Sequence, residues 1–253
     1  SSDLYPKMTF GIMLSKSIPE KTRNSLSMQI KMRPNILKFY QNVNDIYNKN
    51  VDIYVMSSQN STNIISGRLQ AAMAQGLCII DEIRFSEVVF PHLKSQDESS
   101  LNQIDPLDYM EEEGDTSVFF KKSLLRKNSE DQIFNNLKIA LHLDLENESL
   151  VKKARNYVKL IESTGGQCFY LQQLEKGQGA INDEIDLILT LDSKYDQNIK
   201  SNQHYSKSSM SPLFDNTVSP YANKNVYYSS QFLINLVKSG RKKFFDEKIY
   251  QKS

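Results

Sequence analysis

The sequence predicts an α/β protein of two compact units, and three observations carry that prediction. Short apolar runs bounded by polar residues, such as MTFGIML (8–14) and LCII (77–80), read as buried strands. Between them lie segments whose apolar residues recur at helical spacing, as Ile65, Leu69, Ala72 and Met73 do. This alternation occurs twice, and 253 residues with 39% hydrophobic content suffice for two domains of ordinary size, each with its own core.

The first unit is assigned to residues 1–94. Its opening strand ends at Ser15-Lys16-Ser17 and so delivers a polar loop. Pro19 then stands at the first turn of a helix, where a missing N–H does no harm. From Thr22 to Asn50 the helical spacing of Ile36, Leu37, Phe39, Tyr40 and Val43 is interrupted by Pro34, which predicts a broken helix or a helix followed by a short strand. VDIYVM (51–56) alternates and is β-branched, hence a strand. A polar loop (57–63) leads to a helix over 64–75 that stops at Gly76, and the strand 77–80 follows. Asp81 is the expected N-cap of a last helix that carries Ile83, Phe85, Val88 and Val89 and closes at Pro91.

Residues 95–133 read as an acidic, then basic, linker. Eight carboxylates from Asp97 to Asp115 come without a basic residue among them, and Lys121, Lys122, Arg126 and Lys127 reverse the sign. The alternative is a docking segment, since Ile104, Leu107, Tyr109 and Met110 offer apolar anchors to a partner or a neighbouring domain.

The second unit is assigned to residues 134–253. It holds a strand at 137–143 and an amphipathic helix with Leu150, Val151, Ala154, Val158 and Ile161 on one face and Lys152, Lys153, Arg155 and Lys159 on the others. That helix runs into Gly165-Gly166, where residues without a Cβ take positive φ cheaply, and the strands 168–171 and 186–191 follow. A Ser/Asn-rich insert, 192–225, stands where the first unit has a helix; a strand at 225–228 and a helix at 229–239 ending at Gly240 complete the unit.

Composition and motifs narrow the function classes. With 31 basic and 30 acidic residues the whole-molecule field does not attract nucleic acid or anionic membrane, so any anion site is local. Cys78 and Cys168 each fall in an apolar run and read as buried reduced thiols of an intracellular protein. No apolar run approaches a bilayer span and no signal-peptide pattern is present, which predicts a soluble chain; the opening Ser1-Ser2-Asp3 without methionine predicts a piece of a longer one. His92, His142 and His204 are isolated and no Cys/His pair has zinc spacing, so neither a metal nor a cofactor is expected. Phosphate-cradling glycine motifs and nucleophile elbows are missing too, and an enzyme is not expected.

The twice-occurring unit resembles the BRCT repeat. In the second copy the resemblance lies in Thr164-Gly165-Gly166, in Asp186-Leu187-Ile188-Leu189 and in the terminal VYYSSQFLINLVKSGRKKFFDEKIY, with Phe232 where the family usually has tryptophan. In the first copy it lies in DIYVM, ISGRLQAAMAQGLCIID and FSEVV, with Phe85 at the tryptophan position and no glycine pair. The resemblance implies two repeats, each a four-stranded parallel sheet flanked by helices, packed in tandem. It also implies a nuclear module of the DNA-damage or checkpoint response that binds a phosphoserine or phosphothreonine peptide. In such modules the phosphate sits in the first repeat, on a Ser/Thr at the end of the first strand, the next backbone N–H, and a lysine in the second helix. By position these are Ser15, Lys16 and Gln70, with Arg68 two residues before Gln70. Lys16 and Arg68 would supply the charge, Arg68 through a guanidinium fork, because a glutamine cannot offset a charge of about −2. Ser15 also reads as a turn hydroxyl that bonds its own backbone.

Three further readings remain. The pair could dock an unphosphorylated repair-complex or chromatin partner, or self-associate, through the inter-repeat groove or the linker. Direct DNA binding would use the basic face of the 150–161 helix and Arg241-Lys242-Lys243. Ser211-Pro212 and Ser219-Pro220 read as turns or as phosphorylation sites of the insert.

Overall fold

The computed structural model describes residues 9–59, 66–110, 132–175, 185–192, 225–228 and 236. The chain divides into two compact units, Ser1–Glu130 and Asp131–Ser253. In the first, β1 (Phe10–Leu14), α1 (Glu20–Lys31), β2 (Leu37–Tyr40), α2 (Val43–Tyr47), β3 (Ile53–Met56), α3 (Gly67–Ala74) and β4 (Cys78–Asp81) form a parallel four-stranded sheet in the order β2-β1-β3-β4 with its crossovers. In the second, β5 (Lys138–His142), α6 (Glu148–Ser163), β6 (Gln167–Tyr170), α7 (Leu171–Glu175), β7 (Leu187–Thr190) and β8 (Asn225–Tyr228) repeat the pattern as β6-β5-β7-β8. Both units are therefore α/β with parallel sheets flanked by helices, as the sequence predicts.

The strands read as continuous apolar runs because each central strand is covered on both faces: β1, β3 and β7 are buried at every position. One polar residue recurs for a reason the topology makes plain. The Asp52 carboxylate accepts the Gly11 N–H at 2.7 Å while the Asp52 N–H donates to the Gly11 carbonyl at 2.8 Å. In the second unit Asp186 does both for Lys138, at 2.8 Å each. Each aspartate thus satisfies a backbone donor at the head of the central strand, one residue before its neighbour joins the ladder.

The glycine pair serves two separate needs. Gly165 has φ +91°, the left-handed region that L side chains rarely adopt. Gly166 is needed for space, since a Cβ there would stand 2.7 Å from Ile161 Cγ2 and 3.0 Å from Phe134 Cβ. The first unit makes the same junction without glycine: Arg33, Pro34 and Asn35 form a turn in which the Ile36 and Leu37 N–H groups donate to the Arg33 carbonyl, at 3.0 and 2.8 Å. Of the two readings for residues 22–50, a helix followed by a short strand is the one observed.

Several boundaries differ from expectation. The helix expected from residue 64 begins at Gly67, because Ser66 stands outside it as N-cap and accepts the Leu69 N–H at 3.2 Å. Asp81 caps the next helix as expected, its carboxylate accepting the Arg84 N–H at 2.7 Å, but Pro91 does not close it. Residues Glu82–Arg84 form α4, Phe85–Val89 a π turn, and Phe90–Ser95 α5, in one continuous run. The π turn resets the bonding so that Pro91 sits in the first turn of α5, where no N–H is required of it. Phe85 at the tryptophan position is wholly buried and 6.0 Å from the Phe90 ring, whereas Ile83 and Val88 face outward. In α6 the buried face is Ala154, Tyr157, Leu160 and Ile161, with Leu150, Val151 and Val158 at its margins.

The segment that composition marks as a linker is built into the first unit as far as residue 110. It carries two short 3-10 turns, Leu101–Gln103 and Pro106–Tyr109, and buries Leu101, Leu107, Tyr109 and Met110. The Tyr109 hydroxyl lies 2.6 Å from His92 Nδ1, and its carbonyl accepts Arg84 Nε at 2.5 Å. Each large apolar side chain so buried contributes about 1.5–3 kcal/mol, which charge counting along the sequence overlooks. The insert after Asp192 (193–224), Phe232, the terminal basic cluster and both Ser-Pro pairs lie outside the described residues; of the final helix Leu236 is described, and it is buried.

Candidate functional site

A parallel sheet ordered β2-β1-β3-β4 has a switch point between β1 and β3, where the chain leaves β1 for one side and later returns on the other. At the carboxyl ends of such strands the loops splay apart, and this is where open α/β sheets take their ligands. Helices that cross back over a parallel sheet start at the same edge, so α1 and α3 both present their N-termini there.

In the first unit this edge carries a chain of hydroxyls. Ser15, 7% exposed, donates its N–H to the Val55 carbonyl at 2.7 Å and ends the strand. Its Oγ accepts the Ser17 N–H at 3.2 Å and the Ser17 hydroxyl at 2.9 Å. Ser17 Oγ in turn accepts the Ser57 N–H at 3.2 Å, and Ser57 Oγ accepts the Gln59 N–H at 3.2 Å. The turn role of the Ser15 hydroxyl is therefore realised. Lys16 is exposed at the tip of the loop, and its carbonyl accepts Arg23 Nη1 at 3.2 Å. Sequence reasoning missed Arg23; the available signal was a cation in the first turn of the helix that the Ser15 loop feeds.

The other two sequence candidates lie on α3. Arg68, half-buried, is its second residue and so stands at the same edge. Gln70 is 8% exposed, one turn into the helix. Toward β4 the sign changes, because Glu82 accepts the Ser58 N–H at 2.5 Å and the Ser58 hydroxyl at 3.0 Å. The edge thus offers hydroxyls, backbone donors and the cations Lys16 and Arg23 on its α1 side, where Glu20 opens the helix, and the Glu82 carboxylate on its β4 side.

The second sheet has the corresponding point between β5 and β7, with different chemistry. His142 Nδ1 lies 3.1 Å from Oγ1 of the wholly buried Thr190, which also accepts the Asp192 N–H at 3.3 Å. Asp144 accepts the Glu146 N–H at 3.0 Å, and with Asp192 these carboxylates make the described part of this edge acidic. Among the described residues no group of three His, Cys, Asp or Glu side chains is placed to hold a metal ion. Burial, with the Glu162 charge adding to it, pushes the Cys168 thiol up to about 12, so it stays protonated and unreactive near neutrality.

No protein-family model matches the chain, and no curated protein matches it in sequence. Among solved structures it is similar to the FHA/BRCT-repeat domain of S. pombe Nbs1, with 13% identity and a TM-score of 0.46 over 95% of this chain and 62% of that one, so it spans less than two thirds of that structure. It is also similar to the BRCT5-BRCT6 domains of S. pombe Brc1, with 12% identity and a TM-score of 0.45 over 92% of this chain and 93% of that one.

Proposed function

We propose that the chain is a protein-interaction module of the DNA-damage response, working in the nucleus, that takes a phosphoserine or phosphothreonine of a partner at the carboxyl edge of its first sheet. The observation that supports this reading best is the hydroxyl chain Ser15, Ser17 and Ser57 at the β1/β3 switch point beside Lys16 and Arg23. A phosphate carries about −2 charge and accepts several hydrogen bonds at once. The Ser17 hydroxyl, now given to Ser15, can turn to it; Lys16, Arg23 and Arg68 are cations of the same edge. Glu82 opposes a charge near Ser58, so the phosphate approaches from the α1 side. The setting in the damage response is carried by the resemblance in sequence, and the reading gives the chain no catalytic role.

Fluorescence titration with matched phosphorylated and unphosphorylated peptides tests the reading. A hydrogen bond to a charged group is worth about 1.5–3 kcal/mol, so Arg23→Ala or Arg68→Ala should weaken the phosphorylated peptide roughly 10- to 100-fold and leave its control unchanged. Equal binding of both peptides defeats the phosphate mechanism.

A second reading is favoured by a specific observation: the Ser15 hydroxyl is already engaged, and the buried Gln70 takes the place of a lysine. On that reading the module docks an unphosphorylated partner or a second copy of itself, and the titration returns phosphate-independent affinity.

A further inference from the structure

The edge of the first sheet opposite Ser15 carries a second surface. α1 runs from the carboxyl edge to the amino edge, and so does the run that ends in α5; the turn after each therefore reaches the amino edge. There the residues Met32–Ile36 on one side and Asp97–Ser99 on the other enclose an open cleft of about 600 Å³. Pro34 and Ile36 give the helix side an apolar lining. Met32 on the rim and Met28 one helical turn before it are 76% and 67% exposed, an unusual degree of exposure for two large apolar side chains on one stripe.

The opposite wall is acidic and held in place. The Asp97 carboxylate accepts the Ser100 hydroxyl, the Ser99 hydroxyl at 2.9 Å and the Ser100 N–H at 3.0 Å, and Leu101 immediately beyond is wholly buried. Those bonds, with the Ser100 hydroxyl first, hold the Asp97 carboxyl below its usual range, so it is ionised at neutral pH. Glu98 beside it is exposed. The strap Asp97–Ser99 therefore presents two negative charges to a wall in which the apolar Met32, Pro34 and Ile36 alternate with Arg33 and Asn35.

We propose that this cleft docks an amphipathic helix of a partner protein, which sets two apolar side chains four residues apart against Met28 and Met32 and directs lysine or arginine residues to Asp97 and Glu98. Methionine suits such a contact, because its unbranched, polarisable side chain adapts to different apolar neighbours. The basic flank follows from charge complementarity with the strap. This surface is separate from the switch point, so a partner held by phosphate at one edge of the sheet leaves the other edge free for a second contact.

The test is selection of displayed helical peptides on the whole chain, with counter-selection against the Met28→Ser/Met32→Ser variant, whose exposed substitutions leave the core untouched. The expected outcome is a set of peptides with an apolar pair at four-residue spacing and a lysine- or arginine-rich flank, bound at least tenfold more weakly by Asp97→Asn/Glu98→Gln. Peptides with acidic or neutral flanks, or none that distinguish the serine variant, overturn the proposal. So does sedimentation that shows the wild-type chain to be a dimer and the serine variant a monomer, since a second copy would then be the occupant.

Discussion

The two sheets share strand order, register and the aspartate that clamps the head of the central strand, yet the described residues of their switch points differ in chemistry. The first has Ser15, Ser17 and Ser57 with Lys16 and Arg23; the second has His142, Thr190, Asp144 and Asp192. A scaffold fixed by apolar strands and a few backbone-satisfying groups leaves its loop ends free to change chemistry. The units differ also in how they solve equal geometric problems, and substitutions at matched places separate scaffold from site.

The largest effect is expected at Gly11. A Cβ there would lie 1.9 Å from the Asn50 carbonyl oxygen, a backbone atom that cannot swing aside. Gly11→Ala should destabilise the first unit by about 3 kcal/mol or more. Its counterpart is Lys138, where a side chain is already accommodated, so Lys138→Ala should cost much less. Hydrogen exchange read by mass spectrometry checks both, with lost protection confined to residues 9–59 and 66–110 for Gly11→Ala. Next is Gly166→Ala, expected to cost the second unit about 1–3 kcal/mol by overpacking against Ile161 and Phe134. In the glycine-free turn of the first unit, the exposed Asn35 should accept alanine within about 0.5 kcal/mol. A comparable loss, about 1–3 kcal/mol, is expected for Asp52→Ala, which leaves the strand-head N–H of the buried Gly11 without its acceptor, and a smaller one for Asp186→Ala, whose bond to the Lys138 N–H is exposed so that water can replace it. Equal losses would show that exposure does not separate the two clamps.

The smallest effect is alkaline. Burial raises the Tyr109 hydroxyl to about 12 from 10.0 and the Cys168 thiol to about 12 from 9.0. A folded-state pKa above the unfolded one means stability that is complete below the unfolded value and lost as pH rises toward the folded one. The second unit should therefore begin to weaken near pH 9 and the first near pH 10, the order that exchange protection measured across that range would reveal. Cys168→Ala should remove the earlier loss.

How much of this was legible depends on what kind of force acts. The buried strands were, because complete burial leaves continuous apolar runs, and so were the caps Asp81 and Gly76, whose side chain or φ is dictated locally. β2 was legible only as one of two readings, because Pro34 and its own mixed polarity left a broken helix equally open, as suits an edge strand with Lys38 exposed. Residues 101–110 were obscured by their carboxylates, since composition counts charge and not the four apolar side chains that turn inward. Pro91 within a helical run misled because a π turn is a tertiary accommodation with no local signature. At the site, Ser15 and Lys16 follow from the end of an apolar run. Arg23 does not, because its placement depends on a side chain folding back seven residues to a carbonyl.

On the proposed function the first switch point, and not the second, receives a phosphate. The most direct measurement is an NMR titration of the whole chain with a phosphoserine peptide and its unphosphorylated twin, followed at backbone amides. Phosphate-dependent shifts are expected at Ser15, Lys16, Ser17 and Ser57, weakening below about pH 6 as the phosphate takes up its second proton, with Asp144, Glu146 and Asp192 unmoved. Shifts at the second switch point, or shifts at the first that the unphosphorylated peptide reproduces, would contradict the proposal.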